Sequence, residues 1–181
     1  MSKVLAPAAP SRAFLPRPFA VLAILSSGAM FGFFYAWVCS TLWGLDAADP
    51  NVAISAMQSM NASVRNPVFA LGYFGTPLVL AAVALVAWKG EEPRAAILFG
   101  SGALLYVLGV MIPTSMFNVP LNETLDAVEA PLAAARAQEV WQSYSAPWQL
   151  WNTVRAVAAG AALVLAGAGI LGPGRFGRRE A

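Results

Sequence analysis

The chain contains no histidine and a single cysteine, Cys39. The first absence removes the commonest general base and the commonest transition-metal ligand together. The second excludes an intrachain disulfide and any zinc or iron–sulfur site built on cysteine. Histidine-based triads, zinc hydrolases and His-ligated haem are excluded with them, and no metal site is expected. Charge is also scarce: 11% of the 181 residues are Asp, Glu, Lys or Arg, against 59% from the AVILMFWYC set. A soluble domain carries roughly 25% charged residues, so this chain lacks the material to cover itself in water. The bilayer is its expected solvent, with membrane lipids as its immediate partners. No phosphate-binding glycine loop and no broad basic surface appears, so nucleic acid is not expected as a partner.

Four apolar stretches are long enough to span, given about 20 helical residues for about 30 Å of hydrocarbon. They run from Phe19 to Leu45, Val68 to Trp88, Ala95 to Met116 and Trp148 to Leu171, with long connections at 46–66 and 117–146. Eight of the eleven basic residues fall on one side: Lys3, Arg12 and Arg17, then Lys89 and Arg94, then Arg175, Arg178 and Arg179. Only Arg65 and Arg136 lie opposite, and Arg155 sits inside span four. The positive-inside rule then puts both termini in the cytoplasm and both long loops outside, in a bacterial inner membrane. The first stretch is too long for a signal-peptide core and has no small-residue cleavage site, so it reads as a retained helix. Residues 1–18 read as a flexible lead-in, 19–172 as one membrane domain and 173–181 as a basic tail. The expected fold is an all-α, four-helix antiparallel bundle with short amphipathic helices in the two external loops.

Those loops carry helix signals. Asp49-Pro50 opens a stretch to about Arg65 whose apolar positions recur at three- or four-residue spacing, with Asp49 as N-cap and Pro50 in the first turn. Asn66-Pro67 repeats the signal at the start of span two. In the second loop, Thr124 to Tyr144 reads as helical with an interruption around Pro131, and Pro147 as a break or kink before span four.

The most informative pattern approaches and enters span four. On a continuous helix Trp141, Tyr144, Trp148, Trp151, Asn152 and Arg155 fall within about 100° of arc. Aromatic faces then lie outside, with an amide and a guanidinium deeper. Arg155 is about 10 Å deeper than Trp148, where an arginine costs about 2.5–3.5 kcal/mol to insert. Either that cost is offset by a functional role, or the side chain snorkels or bonds neighbouring carbonyls. Further amides reach the same side: Gln58 and Asn61 in the first loop, and Asn118 and Asn122 after span three. Asn122 also suits a helix cap, whereas Asn118 lies at the membrane edge. Gly28 and Gly32 permit close helix packing within the monomer or a homo-oligomer. Trp37 and Trp43 suit an aromatic belt. The external carboxylates Asp46, Asp49, Glu123, Asp126, Glu129 and Glu139 read as solvated.

The order Ala56-Met57-Gln58-Ser59-Met60-Asn61, then Asn66-Pro67, then Asn118-Val119-Pro120-Leu121-Asn122 resembles one family, as does Trp141-x2-Tyr144-x3-Trp148-x3-Asn152-x2-Arg155. That family is the group of small four-helix membrane proteins that includes the fungal anthrone oxygenases, and the resemblance covers about residues 20–170. It implies an enzyme that oxidises a lipophilic aromatic of the anthrone type with O₂, using no metal or organic cofactor. Under it, Arg155, Asn152 and Asn118 supply donors to an enolate oxygen. Trp148, Trp151, Tyr144 and Trp141 contact a planar substrate, with Gln58, Asn61 and Asn122 as further binding residues. No base is assigned. The competing reading is a non-catalytic membrane protein in which the same Asn–Arg–Trp set holds the loops to the bundle or binds a lipid or partner. A structural role requires those side chains to be satisfied internally; an enzyme requires an outward-open pocket lined by Arg155.

Overall fold

Prolines set where three of the helices start. Pro50, Pro67 and Pro93 each occupy the first turn, where their missing N–H costs nothing. In this computed structural model, which describes residues 17–171, helix α1 runs Arg17–Ala36 and continues through a π-helical turn, Trp37–Thr41, into α2, Leu42–Asp46. Helix α3 (Pro50–Ser63) forms the first loop, as the spacing predicts. Its cap is the Asp49 carboxylate, which accepts from the backbone N–H of Asn51 at 2.9 Å and of Val52 at 3.4 Å. Asn66 caps α4 (Pro67–Lys89) by accepting from Phe69 N–H at 3.0 Å. The expected lead-in before Arg17 and the basic tail lie outside the described residues.

Span three departs from expectation. Helix α5 (Pro93–Tyr106) passes through π-turns at Val107–Met111 and Thr114–Asn118 and on into α6 (Val119–Asp126). The helix therefore runs well past Met116. Helix α7 (Ala134–Ile170) likewise begins long before Trp148 and passes through Pro147 without breaking. The helical part of the second loop is thus the extension of spans three and four beyond the apolar zone, with the gap at 127–133. Asn122 caps nothing; it sits inside α6. All four helical runs, Pro18–Asp46, Pro67–Lys89, Pro93–Asp126 and Ala134–Ile170, are long and apolar enough to cross a membrane.

The spans pack as a ring in which α1 touches α4 and α7, and α5 touches α4 and α7. Three apolar layers follow along it. At the far end Leu80, Val83 and Phe99 meet; in the middle, Met30, Phe34, Tyr73 and Tyr106; at the loop end, Leu42, Ile54, Met57, Leu125 and Trp141. The last layer is a cap made by α2, α3, α6 and the start of α7. Close approach of α7 to span three depends on Gly109, where a Cβ would collide with that of Ala158. Gly28 and Gly32, in contrast, have nothing among the described residues within 4 Å of a Cβ position, so neither mediates a close approach there.

Candidate functional site

About four consecutive turns of α7 carry the polar face into the bundle. Trp141, Tyr144, Trp148, Asn152 and Arg155 are all buried, as their spacing on one helix face requires. Trp151 leaves this group: it is half-buried and stacks on Phe117 with centroids 3.6 Å apart and planes 3° apart.

Arg155 does not snorkel, being only 6% exposed. Its Nη2 donates to Asn152 Oδ1 at 2.9 Å and its Nη1 to Thr114 Oγ1 at 3.3 Å. The guanidinium carbon lies 5.0 Å from the Phe34 ring centroid and 5.2 Å from that of Trp148. Both are within cation–π range, which offsets part of the desolvation cost. Asn152 in turn donates from Nδ2 to Phe34 O at 3.1 Å, so α7 is tied to α1 just before its π-turn. Asn118 donates to Trp148 O at 3.3 Å. The π-turn Thr114–Asn118 thus directs Thr114 and Asn118 at α7, and such widened turns gather at functional sites.

Above Arg155 the cap closes. Asn122 Oδ1 accepts from both Tyr144 Oη and Trp148 Nε1, each at 2.9 Å. Trp37 is not a free belt residue; its ring lies 5.2 Å from that of Trp148, whereas Trp43 is exposed. Gln58 donates to Leu125 O at 2.8 Å and Val128 O at 2.9 Å, and Asn51 exchanges two bonds with Leu132. Gln58 therefore holds the cap together rather than facing Arg155. Asn61 is buried at the cap, facing Tyr144. With Asn118 and Asn152 each 1% exposed, the cluster is covered instead of open outwards.

Satisfaction is uneven, and the unevenness is informative. Asn122 and Asn152 use their carbonyl oxygens fully inside the protein. Arg155 Nε, Asn118 Oδ1, Asn61 Nδ2 and Tyr106 Oη are buried without a partner. Buried polar atoms are rarely left so, and each invites an explanation in function.

One residue of this assembly was read from sequence as solvated. Asp46 accepts from Trp141 Nε1 at 2.9 Å, Ser145 Oγ at 2.6 Å and Gln149 Nε2 at 2.8 Å. The available signal was a ladder of polar side chains at i, i+4 and i+8 on one face of α7, Trp141, Ser145 and Gln149.

A family model described as anthrone oxygenase matches residues 67–165, more than half of the chain. The match takes in Asn118, Asn122, Tyr144, Trp148, Asn152 and Arg155, and begins after the Gln58–Asn61 segment. No curated protein and no solved structure matches the chain significantly. The buried arginine, its amide partners and the aromatic stripe therefore lie inside the region that defines the relationship, and the chain belongs to the anthrone oxygenase family.

Proposed function

We propose that this chain is a membrane-embedded oxygenase acting on a lipophilic aromatic of the anthrone type. The observation that carries the reading is Arg155: a buried guanidinium, flanked by two aromatic faces, with an unpartnered Nε–H and no ion pair among the described residues. An anthrone has an acidic benzylic C–H. Loss of that proton leaves an anion that passes one electron to O₂; recombination forms a C–O bond, and loss of water from the hydroperoxide gives the quinone. The protein must hold the planar anion and stabilise its oxygen, and preorganised donors do this best where water is excluded. Arg155 is the central donor in this reading, Asn152 and Thr114 fix its plane, and Trp148 supplies the ring face. Both termini face the cytoplasm, with the cap on the external side.

The competing reading, a non-catalytic bundle whose polar cluster ties the cap down, draws on the internal bonding of the Asn122 and Asn152 carbonyl oxygens and on the cluster being covered, so that in the oxygenase reading the cap must part to admit substrate. Oxygen uptake separates them. Membranes containing the protein, given a soluble anthrone, should consume O₂ faster than membranes without it. Arg155→Ala at matched expression should return the rate to the autoxidation background. Equal rates in all three samples would leave the structural reading.

A further inference from the structure

Arg155 brings a positive charge into the apolar part of the bundle, and the described chain does not neutralise it. Its ion pairs are Arg65–Asp126 at 3.3 Å and Arg136–Glu139 at 2.7 Å, both in the cap region. Asp46 is committed to three donors on α7, and Asp49 to the start of α3. The ionisable groups that act on Arg155 are Tyr73 from α4, Tyr106 from α5 and Tyr144 from α7. Span one contributes the Phe34 ring, and the π-turn before α6 the Thr114 hydroxyl. A phenol titrates near pH 10 in water, so none of these supplies negative charge at neutral pH.

The choice of Asn at position 152 sharpens the point. Its Oδ1 lies 2.9 Å from Arg155 Nη2, where an isosteric aspartate would form an ion pair. The chain has the amide there. A buried cation held by one amide, one hydroxyl and two ring faces is polar-bonded yet unneutralised, and such a charge strongly favours an anion brought to it. Nε–H is the donor left over for that anion.

We propose that this site takes its ligand as a monoanion, the ionised phenol or enol of a fused aromatic, with Arg155 as the buried counter-ion. The inference rests on reading the cluster as a ligand site, and it fills a gap in the oxygenase account. No side-chain base is required: the O–H or C–H bond breaks heterolytically, the electron pair stays on the ligand, and the proton passes to water outside the site as the ligand enters. The guanidinium supplies the driving force by lowering the ligand's own pKa in the site.

The test uses the full chain in lipid nanodiscs with 2-hydroxyanthraquinone, an aromatic that does not consume O₂ and whose anion absorbs at longer wavelength than its neutral form. Titrated with pH, the probe bound to wild-type protein should ionise about 1–3 pH units lower than in empty nanodiscs, a tenfold to thousandfold change in its ionisation constant. Arg155→Met should remove the shift and Arg155→Lys should keep part of it. Where Arg155→Met does not fold, Asn152→Asp carries the test, since it keeps the guanidinium and the acceptor but neutralises the charge; it should return the probe to its empty-nanodisc value. A bound probe that ionises no lower than the free one overturns the proposal, as does a wild-type shift in Asn152→Asp or a failure to bind the ionised probe. Binding without a shift rejects the anion site and leaves the oxygenase standing. A shift in a protein that takes up no O₂ on an anthrone rejects the oxygenase and leaves the anion site.

Discussion

The carboxylate of Asp46 and the indole of Trp141 are joined by a 2.9 Å hydrogen bond across 95 residues of chain. The same carboxylate takes Ser145 and Gln149, so the end of span one grips two turns of α7 above the arginine. Bonds to an ionised acceptor are the stronger kind, although this one is exposed to water. Asp46→Ala should lower unfolding stability by about 1–3 kcal/mol, read as a lower melting temperature in detergent. Asp46→Asn, which keeps an acceptor, should lose less. A loss in Asp46→Asn equal to that in Asp46→Ala would mean that the charge carries the whole effect, and no loss in Asp46→Asn that the charge contributes nothing.

Asn122 offers one oxygen to two buried donors, Tyr144 Oη and Trp148 Nε1. Truncation strands both, and each stranded group costs about 1–3 kcal/mol. Asn122→Ala should therefore destabilise more than Asp46→Ala, and release of Trp148 should shift tryptophan emission. Asn122→Asp keeps the acceptor and should stay near wild type. An unchanged melting temperature in Asn122→Ala would contradict the shared-acceptor geometry.

Local chemistry was legible in the sequence, and distant pairing was not. The caps Asp49 and Asn66 follow from a polar residue before proline, and the buried face of α7 follows from its 3.6-residue period. The anthrone oxygenase relationship was legible in the same stripe together with the Asn118–Asn122 segment. Asp46 was not, because one acid at the end of a span looks like any solvated carboxylate until α7 is placed beside it. Asn122 resembled a cap because a helical stretch was expected to follow it from Thr124. The π-turn Thr114–Asn118 instead lets span three continue through it. Pro147 suggested a break, yet packing of α7 against α1 and span three holds the helix through it.

Gly109 permits the contact that places Thr114 near Arg155. Gly109→Ala would drive its methyl into Ala158 and push span three away from α7. Overpacking of this kind typically costs about 1–3 kcal/mol. The Arg155–Thr114 bond, already 3.3 Å long, should be lost first. The expected result is a lower melting temperature and a larger fractional loss of anthrone oxidation than of folded protein. Ala158→Gly on the same background should restore both, and failure of that rescue would place the cause elsewhere.

The cap is held to itself by amides. Gln58 bonds two carbonyls at the end of α6, Leu125 O and Val128 O. Gln58→Ala removes both bonds and should speed hydrogen exchange in residues 125–132 while leaving the spans protected, because local opening follows loss of local contacts. Uniform acceleration across the spans would show that the cap and the bundle open as one unit.

In the proposed oxidation Arg155 stabilises a ligand oxygen. The direct measurement is the initial rate of quinone formation from an anthrone by purified protein in lipid vesicles, with wild type and Arg155→Ala matched for folded protein. The account predicts a rate above empty vesicles for wild type and a rate at the vesicle background for Arg155→Ala. A folded Arg155→Ala protein that forms quinone at the wild-type rate would contradict it.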